Sequence, residues 1–357
     1  MNIIVFDVAA EHGGALTILK EFYNYVKNNP TPNVKWTFIL STPCLESTEH
    51  VNVKNYPWVK KSWFHRLYFD YLVAPKLVTE YKADKVFSLQ NICVPRVNKP
   101  QIIYVHQSIP FSSYKFSITK TPLLWIYQNI IGMMIKKSIK KSNIVITQTE
   151  WMKEACSAAT NSSLEKFIVC RPSIDIKNTK KYIDSPLNRS TFIFPASAQN
   201  YKNHMLILKT CILLCKENIQ YRVIFTINGD ESNYANKLKR FCTENDLNVI
   251  FSGNLNRELL YDMYSKSVLV FPSLIESFPL PILEARESST FILAYNDEYS
   301  RDALKGYKKA IFFNNNESDL LQKIKQLLAL PTSDEEDENL ILNDSYSWKK
   351  VITTIIE

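Results

Sequence analysis

Residues 271–284 read FPSLIESFPLPILE. An apolar run from Val268 closes at Phe271, a proline-rich turn follows, and Pro281 stands where a helix would open. Proline suits the first helical turn because its missing N–H has no intrahelical partner there. The pattern predicts strand, loop, helix, with Glu276 in the loop and Glu284 on the first helical turn. Backbone N–H groups left free at such a helix start attract phosphate. Carboxylates are poor phosphate ligands, but they accept strong charge-assisted hydrogen bonds from hydroxyl groups. Amides for an anion and two carboxylates for hydroxyls at one sheet edge point to a sugar nucleotide.

Outward from this stretch, short apolar runs alternate with amphipathic ones. Ile3–Val8, Val34–Leu40, Lys85–Leu89, Gln101–His106 and Asn143–Gln148 read as strands, with helices over Leu16–Val26 and Pro122–Lys141. A second series runs from strand Thr191–Pro195 through helix His204–Lys216 and strand Tyr221–Asn228 to helix Asn233–Glu244. Strand Val249–Ser252, helix Arg257–Ser265, strand Val268–Phe271, helix Pro281–Ser288 and strand Thr290–Tyr295 continue it. Such alternation implies parallel sheets covered on both faces, with ligands beyond the carboxyl ends of the strands. Residues 176–190 are polar and broken by Pro186, and read as a linker. The acidic run DEEDE at 334–338 reads as a solvated loop, and Tyr346–Ile356 as a final amphipathic helix.

The 357 residues suffice for two domains, and 46% hydrophobic against 22% charged residues is globular composition. Seven cysteines, an odd number without any CxxC, show no metal spacing and suit a reducing cytosol. Cys211 and Cys215, four apart, are expected on one apolar helix face. The opening MNIIVFDV lacks the layout of a signal peptide, and the apolar run Leu123–Ile135, broken by Gln128 and Asn129, is too short to span a bilayer. Charge is uneven: residues 1–181 hold 24 Lys+Arg and 12 Asp+Glu, a balance of +12, whereas residues 182–357 hold 19 and 23, a balance of −4. There Trp58, Trp63 and Arg66 lie in one aromatic–cationic stretch, and Trp125 begins another that ends KKSIKK. Rings beside cations suit an anionic membrane surface, or else an ordinary core helix with a cationic C-terminal end; a nucleic-acid groove fits them less well.

Glu276 and Glu284, with seven residues between them in ESFPLPxLEA, resemble the E-x7-E signature EGFGLPxLEA of retaining glycosyltransferases of the GT-B architecture. That is the group 1 family, also numbered four. The resemblance covers nearly the whole chain: Gly13-Gly14 in an early turn, His106 after a middle strand, Lys202 after the first strand of the second half, and the terminal helix. It implies an α/β fold of two Rossmann-like doubly wound domains facing a cleft. Residues 1–180 would take the acceptor, 181–340 the nucleotide sugar, and 341–357 would return to the N-terminal domain.

The resemblance also implies roles. Glu276 would bind donor-sugar hydroxyls, Glu284 the ribose, and backbone groups of Phe278, Pro279 and Leu280 the sugar and diphosphate. Lys202 would neutralise the leaving group, with Arg171 or Arg257 as candidate helpers, and Gly14 would admit the diphosphate. Asn254 after Gly253 would lie near the base, and His106 beside the reacting centre. Ser277 and Pro279 replace two glycines of the family loop, and Pro279 has no N–H to donate. The expected donor is a UDP- or GDP-sugar. No cofactor and no metal are expected, since no Asp-x-Asp occurs. The expected acceptor is a lipid-linked saccharide in bacterial O-antigen or capsule assembly, handled in the cytoplasm on the inner face of the plasma membrane, with no nucleic acid as partner. A nucleotide-sugar epimerase of the same architecture, or a degenerate scaffold protein, are the competing readings.

Overall fold

The computed structural model describes residues 1–172, 179–331 and 348–357. The acidic run at 334–338 and Tyr346 lie outside them. The chain divides into two compact units, Met1–Ser173 with Asp344–Glu357, and Ile174–Asn343.

The first unit is built on seven parallel strands: β1 (Asn2–Asp7), β2 (Lys35–Leu40), β3 (Val51–Asn55), β4 (Lys85–Ser88), β5 (Gln101–Val105), β6 (Ile144–Thr147) and β7 (Phe167–Val169), in the order β3-β2-β1-β4-β5-β6-β7. Ile3 of β1 pairs with Trp36 on one side and Lys85 on the other, so the strand order reverses between β1 and β4. Nearly every side chain of β1 and β5 is buried, as the continuous apolar runs require of strands covered on both faces. Helix Gly13–Asn28 buries Ile18, Leu19, Phe22, Tyr23 and Val26. Its Phe22 ring lies 4.9 Å from Trp348 of the final helix, Trp348–Ile356, whose Val351, Ile352 and Ile355 enter the same core.

The helix expected over Pro122–Lys141 is present but carries a π-turn at Tyr127–Ile131. Buried Gln128 sits in that turn, accepting from Phe116 N–H at 3.0 Å and donating to Tyr114 O at 2.7 Å. A second π-turn, Phe69–Val73, joins helices Trp63–Tyr68 and Ala74–Glu80. Pro75 follows it and supplies no N–H for the ordinary helical ladder, which favours the wider turn.

The second unit has six parallel strands: β8 (Thr191–Phe194), β9 (Arg222–Phe225), β10 (Val249–Phe251), β11 (Val268–Phe271), β12 (Ile292–Tyr295) and β13 (Ala310–Phe313), ordered β10-β9-β8-β11-β12-β13. Here the order reverses between β8 and β11. The expected linker is partly structural. Tyr182 N–H donates to Ser288 O and Ile183 N–H to Ser265 O. Arg189 is 2% exposed, pairs with Asp184 at 2.5 Å and donates to the carbonyls of Leu327 in the last turn of helix Glu317–Leu328 and of Leu330 and Pro331 just beyond it. A polar stretch read as a tether thus closes this unit by satisfying a helix C-terminus, where a cation is favoured. Cys211 and Cys215 lie four apart on one side of helix His204–Lys216 as expected, but only Cys211 is buried; Cys215 is exposed, its Sγ 3.3 Å from Tyr221 OH.

Candidate active site

Ligands of open parallel sheets bind beyond the carboxyl ends of the strands, where the strand order reverses. In the second unit that point lies between β8 and β11, and Lys202 and Glu276 sit in the loops that leave these two strands. Lys202 ends a short helical turn, Asn200–Lys202, that closes on Asn203 with a left-handed φ of 62°. Its Nζ donates to Glu276 Oε1 at 2.5 Å, and both side chains are largely shielded, 16% and 13% exposed. Shielding strengthens such a contact relative to water. The loops are tied together: Leu274 N–H donates to Tyr201 O at 2.8 Å, and buried Tyr299 donates its hydroxyl to Ser273 O at 2.5 Å. One of the three ammonium donors of Lys202 is used by Glu276, which leaves donors for an oxyanion.

Glu284 is buried in helix Leu280–Glu287, at its fifth residue, so it lies on the second turn and not the first. Its Oε2 accepts from Tyr264 OH at 3.3 Å. Burial pushes its pKa up to about 7, against the opposing pull of the Arg257 charge and the Tyr264 hydrogen bond. The helix start does not offer free amides as expected. Pro279, at φ −80° and ψ 71°, makes an inverse γ-turn in which Leu280 N–H donates to Phe278 O at 2.9 Å. Pro281 has no N–H, and Ile282 and Leu283 donate to Pro279 O. The first-turn donors are consumed by the backbone itself, so an anion at this edge depends on Lys202 more heavily than the sequence suggests.

Gly253 has φ +70°, where a side chain is strained, and a Cβ there would stand 2.5 Å from Asn228 Oδ1. Asn254 next to it is exposed. In the first unit the left-handed φ of 61° falls on Gly13, whereas a Cβ on Gly14 would meet no protein atom within 4 Å. The constraint imposed by the protein's own backbone is therefore at Gly13. His106 follows β5 and contacts Asn91, which follows β4. Asp7 closes β1 with Oδ1 accepting from Ala10 N–H at 3.1 Å, and burial pushes its pKa up to about 7.

The aromatic–cationic residues divide. Trp58 is half-buried among Tyr56, His65, Tyr68 and Phe69, and Arg66 pairs with Asp70 at 2.7 Å. Trp125 is half-buried in its helix. Trp63 is 59% and Phe64 83% exposed, and Leu67, Tyr68, Tyr71 and Leu72 are exposed beside them. Among the described residues no helix is long and apolar enough to cross a membrane.

Residues 175–344 match the family model described as Glycosyl transferases group 1. The chain is a glycosyltransferase. It is 22% identical over 277 residues to the O-antigen chain mannosyltransferase RfbU of Salmonella typhimurium, covering 76% of this chain and 73% of that protein. Two solved structures share its GT-B fold. WaaG, described as a glycosyltransferase involved in lipopolysaccharide biosynthesis, has a TM-score of 0.63 at 12% identity over 92% of this chain and 91% of its own. Anabaena Alr3699/HepE in complex with UDP-glucose has a TM-score of 0.62 at 15% identity over 92% and 90%. Sequence reasoning placed Lys202, Glu276 and Glu284 in the enzyme's second unit but missed Tyr264, Tyr299 and Asn91. No motif marks those three, and only the strand order brings them to their partners.

Proposed function

We propose that the enzyme is a retaining transferase of family four that moves a sugar from a UDP- or GDP-sugar to a lipid-linked saccharide in surface polysaccharide assembly, O-antigen or capsule. The Lys202–Glu276 contact at 2.5 Å carries the reading. It joins a group suited to a diphosphate and a group suited to sugar hydroxyls at one sheet edge. The functions of RfbU and WaaG, and the UDP-glucose bound to HepE, support the pathway and donor class.

When the anomeric C–O bond breaks, positive charge develops on the sugar and negative charge on the diphosphate. A fixed ammonium favours that separated state over the ground state. Lys202 meets the diphosphate, Glu276 orients the sugar, and Glu284 holds the ribose. Asn254 lies toward the base, Phe278 to Leu280 line the sugar, and Gly14 gives the diphosphate room. The acceptor oxygen attacks from the face the diphosphate leaves, and its proton passes to the departing phosphate oxygen. No metal enters the reaction, so turnover after chelator treatment is expected to match the untreated enzyme. The enzyme works in the cytoplasm against the inner membrane face. Its basic first unit meets anionic lipid there, through Trp63 and Phe64 and not through Trp58 or Arg66.

A thermal-shift screen of UDP, GDP, ADP and dTDP and their sugar conjugates tests the donor assignment, because a ligand of the folded state raises the unfolding temperature. Stabilisation by one nucleotide, followed by slow hydrolysis of its sugar conjugate, is the expected result. No stabilisation by any of them would remove the donor site.

A further inference from the structure

Asn91 lies after β4 with φ of 68°, a left-handed conformation that asparagine tolerates better than most residues. Its Oδ1 accepts from the backbone N–H of His106 at 2.8 Å and of Gln107 at 3.0 Å. Only a carbonyl oxygen can serve two N–H donors at once, so the hydrogen bonds decide the orientation of the amide. The amino group Nδ2 is then left 3.3 Å from His106 Nε2. An amide amino group donates and does not accept, so Nε2 is the acceptor and holds no proton. Burial pushes the pKa of His106 down to about 4, which leaves the ring neutral at physiological pH with its one proton on Nδ1. Nδ1 is shielded from solvent and has no hydrogen-bond partner among the described residues. It is a buried donor awaiting an acceptor.

We infer that Asn91 is a positioning residue that holds His106 as the Nδ1–H tautomer, making the ring a fixed hydrogen-bond donor to a substrate hydroxyl oxygen and excluding it as general base. Its use in transfer rests on the reaction proposed above. The lone pair of Nε2 is engaged by Asn91, and Nδ1 has none free while protonated. The proton of the acceptor hydroxyl therefore goes to the phosphate oxygen released as the anomeric C–O bond breaks and the new glycosidic C–O bond forms.

The test labels the histidine rings of the full chain with nitrogen-15 and reads proton location from long-range proton–nitrogen correlations. His106→Gln identifies the His106 signals by their loss. The wild-type protein should show a protonated Nδ1 and an unprotonated Nε2. Asn91→Asp keeps an oxygen for both backbone N–H groups but puts an acceptor opposite Nε2. It should draw a proton to Nε2 and lower kcat by ~10- to 100-fold, with KM for the nucleotide sugar within ~threefold and an unchanged unfolding temperature. If Asn91 only caps the backbone, Asn91→Asp will be as active as wild type with an unchanged ring, and Asn91→Ala alone will be impaired; that result overturns the inference. A wild-type proton on Nε2 overturns it without any variant. A switched tautomer with undiminished kcat supports the proton assignment and overturns the part given to His106 in transfer.

Discussion

The points where strand order reverses in the two sheets hold charge in opposite ways. Between β8 and β11 an ammonium and a carboxylate meet at 2.5 Å, and first-turn amides that could have shared an anion are spent on the loop's own carbonyls. Between β1 and β4, and on neighbouring β5, burial disfavours charge on the polar groups that close the strands. Burial pushes Asp7 up to about 7 and His106 down to about 4, and Asn91 supplies an uncharged amide. One edge holds a charged pair, with ammonium donors left over for an anion; at the other, burial disfavours charge on Asp7 and His106. In the transfer proposed above, the ammonium of the first edge favours the charge that develops on the diphosphate.

The sharpest break in this contrast is removal of the cation. Lys202→Ala should lower kcat by ~10²- to 10³-fold, the cost typical of deleting one preorganised donor from a developing anion. Steady-state release of nucleotide from the sugar donor measures it. Because the amides of Leu280, Ile282 and Leu283 are already bonded, little substitute is at hand. A variant within tenfold of wild type would erase the distinction between the edges.

Next in size is the effect of pH on the unliganded fold. Glu284 is raised from 4.5 to about 7 by burial, so between these values the folded chain keeps a proton that the unfolded chain releases. Its stabilising contribution is complete below the ordinary carboxylate range and lost as pH rises through about 7. Asp7 carries the same sign in the first unit. Each shift corresponds to roughly 2–4 kcal/mol. Urea unfolding should show stability falling from pH 5 to 8, with Glu284→Gln flattening the fall by its share and Asp7→Asn by its own. A flat wild-type profile would deny that either carboxyl is held up by burial.

How far the sequence discloses these edges also differs. The carboxylates of the second unit are legible because ESFPLPILEA places them around a strand-to-helix junction that proline punctuates. Lys202 is legible from its place after a strand. The same prolines misled the reading of the helix start, since Pro279 folds the chain back so that Leu280 bonds Phe278. In the first unit His106 is visible but its control is not. Asn91 lies fifteen positions upstream and reaches it only because β4 and β5 are neighbours, a fact of strand order that no local pattern encodes. Likewise Tyr264 meets Glu284 across two separate helices. Aromatic composition marked the stretch around Trp58 and Trp63, but not which rings pack: Trp58 lies against Tyr56 and Phe69, whereas Trp63 and Phe64 are exposed.

Within the charged edge, Glu276→Ala should cost ~10- to 30-fold in turnover with the unfolding temperature unchanged, because it removes sugar orientation while leaving the ammonium in place. The double variant Lys202→Ala/Glu276→Ala should fall short of the product of the two single effects, since the side chains share one contact. Full multiplicativity would mean that the two groups act at separate points.

The smallest expected effect concerns the surface of the first unit. Trp63 and Phe64 stand out from their helix, while Trp58 is packed against Tyr56 and Phe69. Replacing Trp63 and Phe64 together by Ser should lower partition onto anionic vesicles by ~three- to tenfold with transfer to a soluble acceptor analogue preserved, because rings at a bilayer boundary contribute through buried apolar area. Trp58→Ala should instead lower the unfolding temperature and leave vesicle partition near wild type once folded protein is compared. Flotation at low and high salt separates the ring contribution from that of the surrounding lysines, whose attraction to anionic lipid is screened. If Trp58→Ala weakens flotation and the Trp63/Phe64 pair does not, the inward and outward assignments of these rings are reversed.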